Sequence, residues 1–251
     1  MVGYTGIMKK NIFKKEQPLI KFVSVIEGLE QIEDCVPKPS KKYIPDWFKT
    51  FPISKDIKDK TVRDCPSFPD YFSQGYVIPM WQDSLLKYNK QNDRWDIQGP
   101  EITKWSIHGN HQFLHNADAS FQGIKSNFIF KALCPWRIIT PPGYSVLQLP
   151  MFYHFNQNWS VLPGVIDTDI WHECNQQVSY HGNGEEIFIP RGAPLAMYIP
   201  FKRENYNLKT SSATDEEKKK FRVLELILGG GILSGGTYRK LQKKQNKKNN
   251  N

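Results

Sequence analysis

Between residues 100 and 201 the chain alternates apolar and polar positions, with turn residues recurring about every ten positions, and that rhythm predicts strands. In EITKWSIH (101–108), Ile102, Lys104, Ser106 and His108 share one face, while Thr103, Trp105 and Ile107 share the other. FIFKALCPWRIITPPGYSVLQLP (128–150) reads as two strands meeting at Pro141-Pro142-Gly143. There proline fixes φ and glycine permits a tight reversal. WSVLPGVIDTDIW (159–171), NQQVSYH (175–181), EEIFIPRGAP (185–194) and LAMYIPF (195–201) continue the series. Upstream, LIKFVSVIEGL (19–29) predicts a first strand, Asp46-Trp47-Phe48 after Pro45 a single helical turn, and 75–81 a strand after a short helix. DRWDIQGP (93–100) reads as one hairpin arm. The period changes after residue 201. NLKTSSATDEEKKKFRVLELIL (207–228) predicts a helix capped by Thr214 or Ser212, with Asp215, Glu216 and Glu217 at its positive end. Phe221, Leu224, Ile227 and Leu228 fall on one face, and Gly229-Gly230-Gly231 ends it.

This pattern defines a mainly β protein: a jelly-roll or cupin-like β-sandwich or barrel with a few short helices and a C-terminal helix. The expected organisation is a flexible basic arm (1–18), a single β-rich domain (19–206), a C-terminal helix with a glycine-rich exit (207–236) and a disordered basic tail (237–251). Composition agrees. The 251 residues are 39% hydrophobic and 13% aromatic, enough for a real core, and 17 prolines with 17 glycines favour many turns. The net charge of +9 gathers in Lys9, Lys10, Lys14 and Lys15 and again in Arg239, Lys240, Lys243, Lys244, Lys247 and Lys248. Solvated tails are the plain reading, and weak nucleic-acid contact through them is the functional one. Cys35, Cys65, Cys134 and Cys174 form no C-x-x-C pair, so free thiols are expected. No apolar run reaches spanning length, so no membrane partner is expected; the expected location is the cytoplasm of a bacterial host cell, or a virion.

GVIDTDIW (164–171) carries the sharpest chemical signal. In an extended strand Val165, Asp167, Asp169 and Trp171 would share one face, while Ile166, Thr168 and Ile170 would turn to the core. Two carboxylates at i and i+2 could hold a cation or orient a polar ligand. On that reading Asp167 and Asp169 anchor a small polar ligand in the mouth of the roll. Tyr144, Trp136 and Trp171 would supply aromatic walls, and Arg203 or Arg137 would balance charge. The cofactor would be a divalent metal bound by His172 and His181, in the manner of a non-haem metal enzyme. The structural alternative makes one aspartate a turn cap and the other an arginine's partner. His108, His111 and His115, with Asp118 nearby, form a second metal candidate. No nucleophile elbow, phosphate loop or dinucleotide fingerprint is present, and enzyme status stays open.

PWRIITPPGYSVLQLP, LPGVIDTDIW and IPRGAPLAMYIPFKRE together resemble a family of uncharacterised proteins of bacteria and tailed phages, a domain of unknown function. The most specific part is Gly164, Asp167, Thr168 and Asp169, joined by the Gly192-x-Pro194 motif. The resemblance implies a phage or bacterial origin and one shared β unit. Within that unit Lys202 or Arg203 would pair with Asp167 or Asp169 across strands. It supplies no activity, so two functions remain open: ligand binding in the roll, or a phage structural or assembly protein whose β domain contacts a protein partner.

Overall fold

The computed structural model describes residues 17–53, 61–92, 94–99, 105–108, 128–155, 158–180, 186–229 and 234–249. The described strands are β1 (Lys21–Ser24), β2 (Lys38–Pro39), β3 (Tyr76–Pro79), β4 (Ser84–Asn89), β5 (Arg94–Gln98), β6 (Trp105–His108) and β7 (Phe128–Ala132). They continue as β8 (Trp136–Ile139), β9 (Tyr144–Pro150), β10 (Trp159–Val161), β11 (Gly164–Ile166), β12 (Gln176–Tyr180), β13 (Glu186–Ile189) and β14 (Pro194–Lys202). The helices are α1 (Asp46–Thr50), α2 (Ser67–Phe72), α3 (Asp215–Gly229) and α4 (Ser234–Asn249). The fold is mainly β and its strand pairings are antiparallel, as the alternating pattern predicts.

The strands form sheets in the orders β11-β9-β14-β3-β2, β10-β12-β7-β6, β13-β4-β5 and β1-β8. β14 sits inside the largest sheet, and Leu195–Tyr198 are buried on both faces, which explains its unbroken apolar run. β13 instead alternates: Ile187 and Ile189 are buried, Glu186 and Phe188 exposed, the mark of a strand with one wet face. Trp81, Trp136, Phe130, Ile78, Met80 and Tyr198 lie in one core cluster that draws on the large sheets together. Each fully buried apolar side chain of this kind contributes about 1.5–3 kcal/mol.

Two close polar or backbone fits fix the register of β14. Gly75, at φ 65°, lies against the Tyr198 backbone; a Cβ there would stand 2.1 Å from the Tyr198 carbonyl oxygen. The Tyr198 hydroxyl accepts from Gln176 Nε2 (2.6 Å) and donates to Gln148 Oε1 (2.9 Å). Gln148 Nε2 in turn donates to the Leu162 carbonyl (2.9 Å). This buried chain stitches β14 to β9 and β12.

Several expectations are corrected. The segment 128–150 forms three strands, and the Pro141–Tyr144 turn joins β8 to β9 across different sheets rather than closing a hairpin. The turn itself is tight: Tyr144 N–H donates to the Pro141 carbonyl (3.1 Å), with Gly143 at φ 81° in the third position. The helix expected over 207–228 starts at Asp215. Thr214 caps it, because its hydroxyl accepts from Glu217 N–H (3.2 Å) while the Glu217 carboxylate accepts from Thr214 N–H (2.8 Å). The tail expected to be disordered from 237 is helix α4 as far as Asn249. Its lysines, glutamines and arginine are good helix formers, and α3 gives its apolar positions a surface to pack on.

All four cysteines are free. Burial pushes the Cys134 thiol up to about 11 and the Cys174 thiol up to about 12. Burial also raises Cys35, whereas exposed Cys65 is lowered, first by its hydrogen bond with Ser67. Among the described residues, no helix is long and apolar enough to cross a membrane.

Candidate functional site

The ends of three strands meet where the aspartates lie. β9 runs antiparallel to β14 on one side and to β11 on the other, with Tyr144 opposite Lys202 and Val146 opposite Ile166. The start of β9 is therefore flanked by the ends of both neighbours. Arg203 N–H donates to the Gly143 carbonyl (2.8 Å), carrying the ladder one step past β14.

β11 stops at Ile166, so GVIDTDIW is not one strand. Ile170 and Trp171 N–H both donate to the Asp167 carbonyl (2.9 and 2.8 Å), curling the chain into a turn. This curl breaks the expected two-face alternation. Thr168 is wholly buried, yet Ile170, expected in the core, is 74% exposed. Thr140 Oγ1 donates to the Tyr144 carbonyl (3.0 Å), so the Thr168 hydroxyl, 2.8 Å away, donates to Thr140.

Arg203 is the hub of this cluster. It forms a two-pronged bond to Asp169, with Nη1 to Oδ1 at 2.8 Å and Nη2 to Oδ2 at 2.5 Å. Gly143 N–H donates to the same carboxylate (2.8 Å), which is 8% exposed. Arg203 Nη1 also lies 3.2 Å from Asp167 Oδ1 and donates to Ser145 Oγ (2.9 Å). Ser145 donates to Asp167 Oδ1 (2.6 Å). The Arg203 guanidinium, and after it the Gly143 N–H, hold the Asp169 carboxyl down at about 2.

Asp169 is thus fastened by a guanidinium and a backbone donor, and Asp167 by the Ser145 hydroxyl and the same guanidinium. A groove of about 470 Å³ beside it is lined by Phe201–Tyr206 and by neither aspartate. The remaining site candidates disperse. Trp136 is buried in the core, its indole N–H bonded to the Cys35 carbonyl (3.1 Å). Arg137 binds the Cys134 carbonyl (2.8 Å) and Glu173 (3.1 Å), away from the aspartates. Tyr144 takes part through its carbonyl, and Trp171 is exposed beside the turn. His172 Nδ1 lies 2.8 Å from the Thr168 carbonyl, which only accepts, so Nδ1 carries the proton and braces the turn. His111, His115, Asp118 and His181 lie outside the described residues. Among the described residues, no cluster of three histidine, cysteine or acidic side chains could hold a metal. Thr140, Ser145 and Thr168 complete the clasp; Thr168 stood out in the sequence as part of the GVIDTD motif, whereas nothing in a lone hydroxyl residue distinguished Thr140 or Ser145.

The clasp has a pH signature. A carboxylate's ordinary value is about 3.9, and Asp169 sits well below it. Its stabilisation is present above pH 4 and is lost as pH falls toward 2. Melting temperature measured across that interval should fall with a component that Asp169→Asn lacks. Parallel acid profiles for the two proteins would show that the clasp adds no stability.

A different surface is shaped for binding. After β9 the chain turns through Tyr153 (φ 69°) and Phe155 (φ 50°), left-handed conformations that cost a non-glycine residue roughly 1–2 kcal/mol each. The Tyr153 ring packs on Phe68 (4.7 Å) and Tyr71 (5.5 Å), and its carbonyl accepts from the Trp47 indole (2.5 Å). His154 Nε2 lies 2.7 Å from the Tyr43 carbonyl, and burial lowers its pKa. These bonds hold the loop against one side of a cleft of about 480 Å³, walled by Pro150, Phe152, Phe155, Trp159, Val161 and Pro194. Phe152 is 52% and Phe155 67% exposed. Phe155 also meets Trp47 (5.4 Å), which meets exposed Phe51 (6.2 Å), so the apolar surface continues past the rim. Its trace in the sequence is the aromatic run Phe152-Tyr153-His154-Phe155, which the strand pattern does not absorb.

The structure defines a mainly antiparallel β protein. No protein-family model matches the chain, and no curated protein does. Solved structures give distant likenesses. A mutant dUTPase from phage phi11 of S. aureus is 11% identical, over 57% of this chain and 85% of that one, with a TM-score of 0.32. The EIAV dUTPase is also 11% identical, covering 57% and 86%, with a TM-score of 0.32. A mutant dUTPase of phage 80alpha is 8% identical, covering 78% and 91%, with a TM-score of 0.37. Likeness of this degree carries no activity to this chain.

Proposed function

We propose that the protein is an interaction module of the phage structural or assembly class, and that the cleft beside Tyr153–Phe155 receives an apolar segment of a protein partner. The observation that carries this reading is the pair of exposed phenylalanines, Phe152 and Phe155, on a loop that left-handed backbone and half-buried hydrogen bonds hold in place. A contiguous exposed apolar surface of this kind raises the cost of leaving it in water and marks a contact site. Non-glycine residues held in left-handed backbone cluster at active sites, ligand clamps and switch regions. The phage setting rests on the resemblance of TPPGY, GVIDTD and PFKR to the uncharacterised phage and bacterial family. In the structure those three stretches meet in the clasp, which serves this reading as the scaffold behind the surface.

The test compares wild type with Phe152→Ser/Phe155→Ser in infected cells, by mass spectrometry of purified particles and of assembly intermediates. Wild type should be found in one of these fractions. The double variant should be depleted from it at least about tenfold, as loss of two buried aromatic anchors implies. Its own melting temperature should be little changed, because both rings are exposed in the free protein. Equal incorporation of the variant, or absence of wild type from both fractions, would reject the proposal.

A further inference from the structure

Helix α4 carries six basic residues among its sixteen and no acidic one. At 100° per residue, Lys240, Lys243, Lys244 and Lys247 fall within roughly 100° of arc. All four side chains are exposed, and among the described residues none is paired with a carboxylate. Contacts on the other faces fix the rotation of the helix. Tyr238, Leu241, Gln242, Lys244, Gln245 and Asn246 line a groove with Leu224 of α3. Arg239 turns to the body instead: it bonds Asp70 of α2 and the Pro66 carbonyl. The helix thus divides into an anchoring side and an exposed lysine stripe, of which Lys244 also lines the groove.

We propose that this stripe binds the phosphate backbone of duplex nucleic acid. Four like charges on successive turns repel one another, and a polyanion relieves that repulsion. The stripe rises about 10 Å from Lys240 to Lys247, and a duplex offers a phosphate charge roughly every 1.7 Å along its axis. The stripe contains no aromatic ring on which an unpaired base could stack, which favours a duplex over a single strand. Tyr238 and Leu241, 38% and 40% exposed, line the groove with α3 and lie outside the lysine arc, so the arc itself carries no apolar side chain to insert into a bilayer. The binding is indifferent to sequence, because lysine meets phosphate as a point charge.

Fluorescence anisotropy of a labelled DNA duplex, titrated with the full chain across a range of potassium chloride, tests this. With about four phosphates neutralised, log affinity should fall with log salt at a slope of about −3 to −4. Lys240→Gln/Lys243→Gln/Lys244→Gln/Lys247→Gln should flatten the slope toward zero and weaken binding at low salt by at least about tenfold. The corresponding arginine replacements should retain both, which separates loss of charge from loss of the helix. Lys41→Gln/Lys42→Gln/Lys209→Gln/Lys219→Gln removes equal charge from other exposed positions and should bind as wild type does. The proposal is overturned if the stripe variant binds unchanged, if the control variant loses as much, or if the arginine variant fails to bind. Tighter binding to a single strand, or equal binding to phosphatidylglycerol vesicles, overturns it too.

Discussion

Gly75→Ala should destabilise the protein by about 2–5 kcal/mol, among the largest losses for adding one methyl group. Two costs combine. At φ 65° an alanine sits in the left-handed region, which costs about 1–2 kcal/mol. The new Cβ would also stand 2.1 Å from the Tyr198 carbonyl oxygen, 2.9 Å from its carbon and 3.0 Å from Ile199 Cα. These are backbone atoms of the central strand β14, held by β9 across the ladder, so they cannot swing aside as a side chain would. Gly28 provides the internal comparison. It has φ 80° but nothing within 4 Å of its would-be Cβ, so Gly28→Ala should show the backbone cost alone. Denaturant unfolding of both variants measures the difference. Equal losses would show that the approach of residue 75 to β14 is not what makes it glycine.

Tyr198→Phe should cost about 2–4 kcal/mol although it removes a single oxygen. The ring stays in place; the loss falls on its partners. Gln176 Nε2 and Gln148 Oε1, both buried, would be left facing apolar surroundings without water to replace the hydroxyl. Each stranded group carries a penalty of about 1–3 kcal/mol. Because the cost lies in the orphaned partner, Tyr198→Phe/Gln148→Leu should lose less than the two single changes summed. Additive losses in denaturant melts would mean that the three residues are not coupled.

Both effects are invisible in the sequence, and the reason is general. LAMYI showed itself as a buried strand because its neighbours are apolar, but which glutamines reach Tyr198 depends on sheet order, which alternation does not encode. The Pro141-Pro142-Gly143 turn and the Thr214 cap were legible, since each is settled within four residues. Pairing of Arg203 with the aspartates was also expected. The end of β11 was not legible. Ile170 continues the alternation perfectly, and the bonds that turn the chain before it, the Thr168–Thr140 hydroxyl pair across 28 residues and the Arg203 clamp on Asp169 across 34, are made with distant residues. Helix α4 was hidden differently: its composition is that of a solvated tail, and its partners Leu224 and Asp70 are far away in the chain.

The cysteines give the molecule one practical property. With three thiols buried and raised, alkylating reagents at neutral pH should be directed to exposed Cys65. That residue stands just before α2, the helix that packs Phe68, Tyr71 and Phe72 on Tyr153 and receives Arg239 with its aspartate. A fluorophore attached there would report occupancy of the aromatic cleft and of the lysine stripe from a single natural position, without altering any other residue.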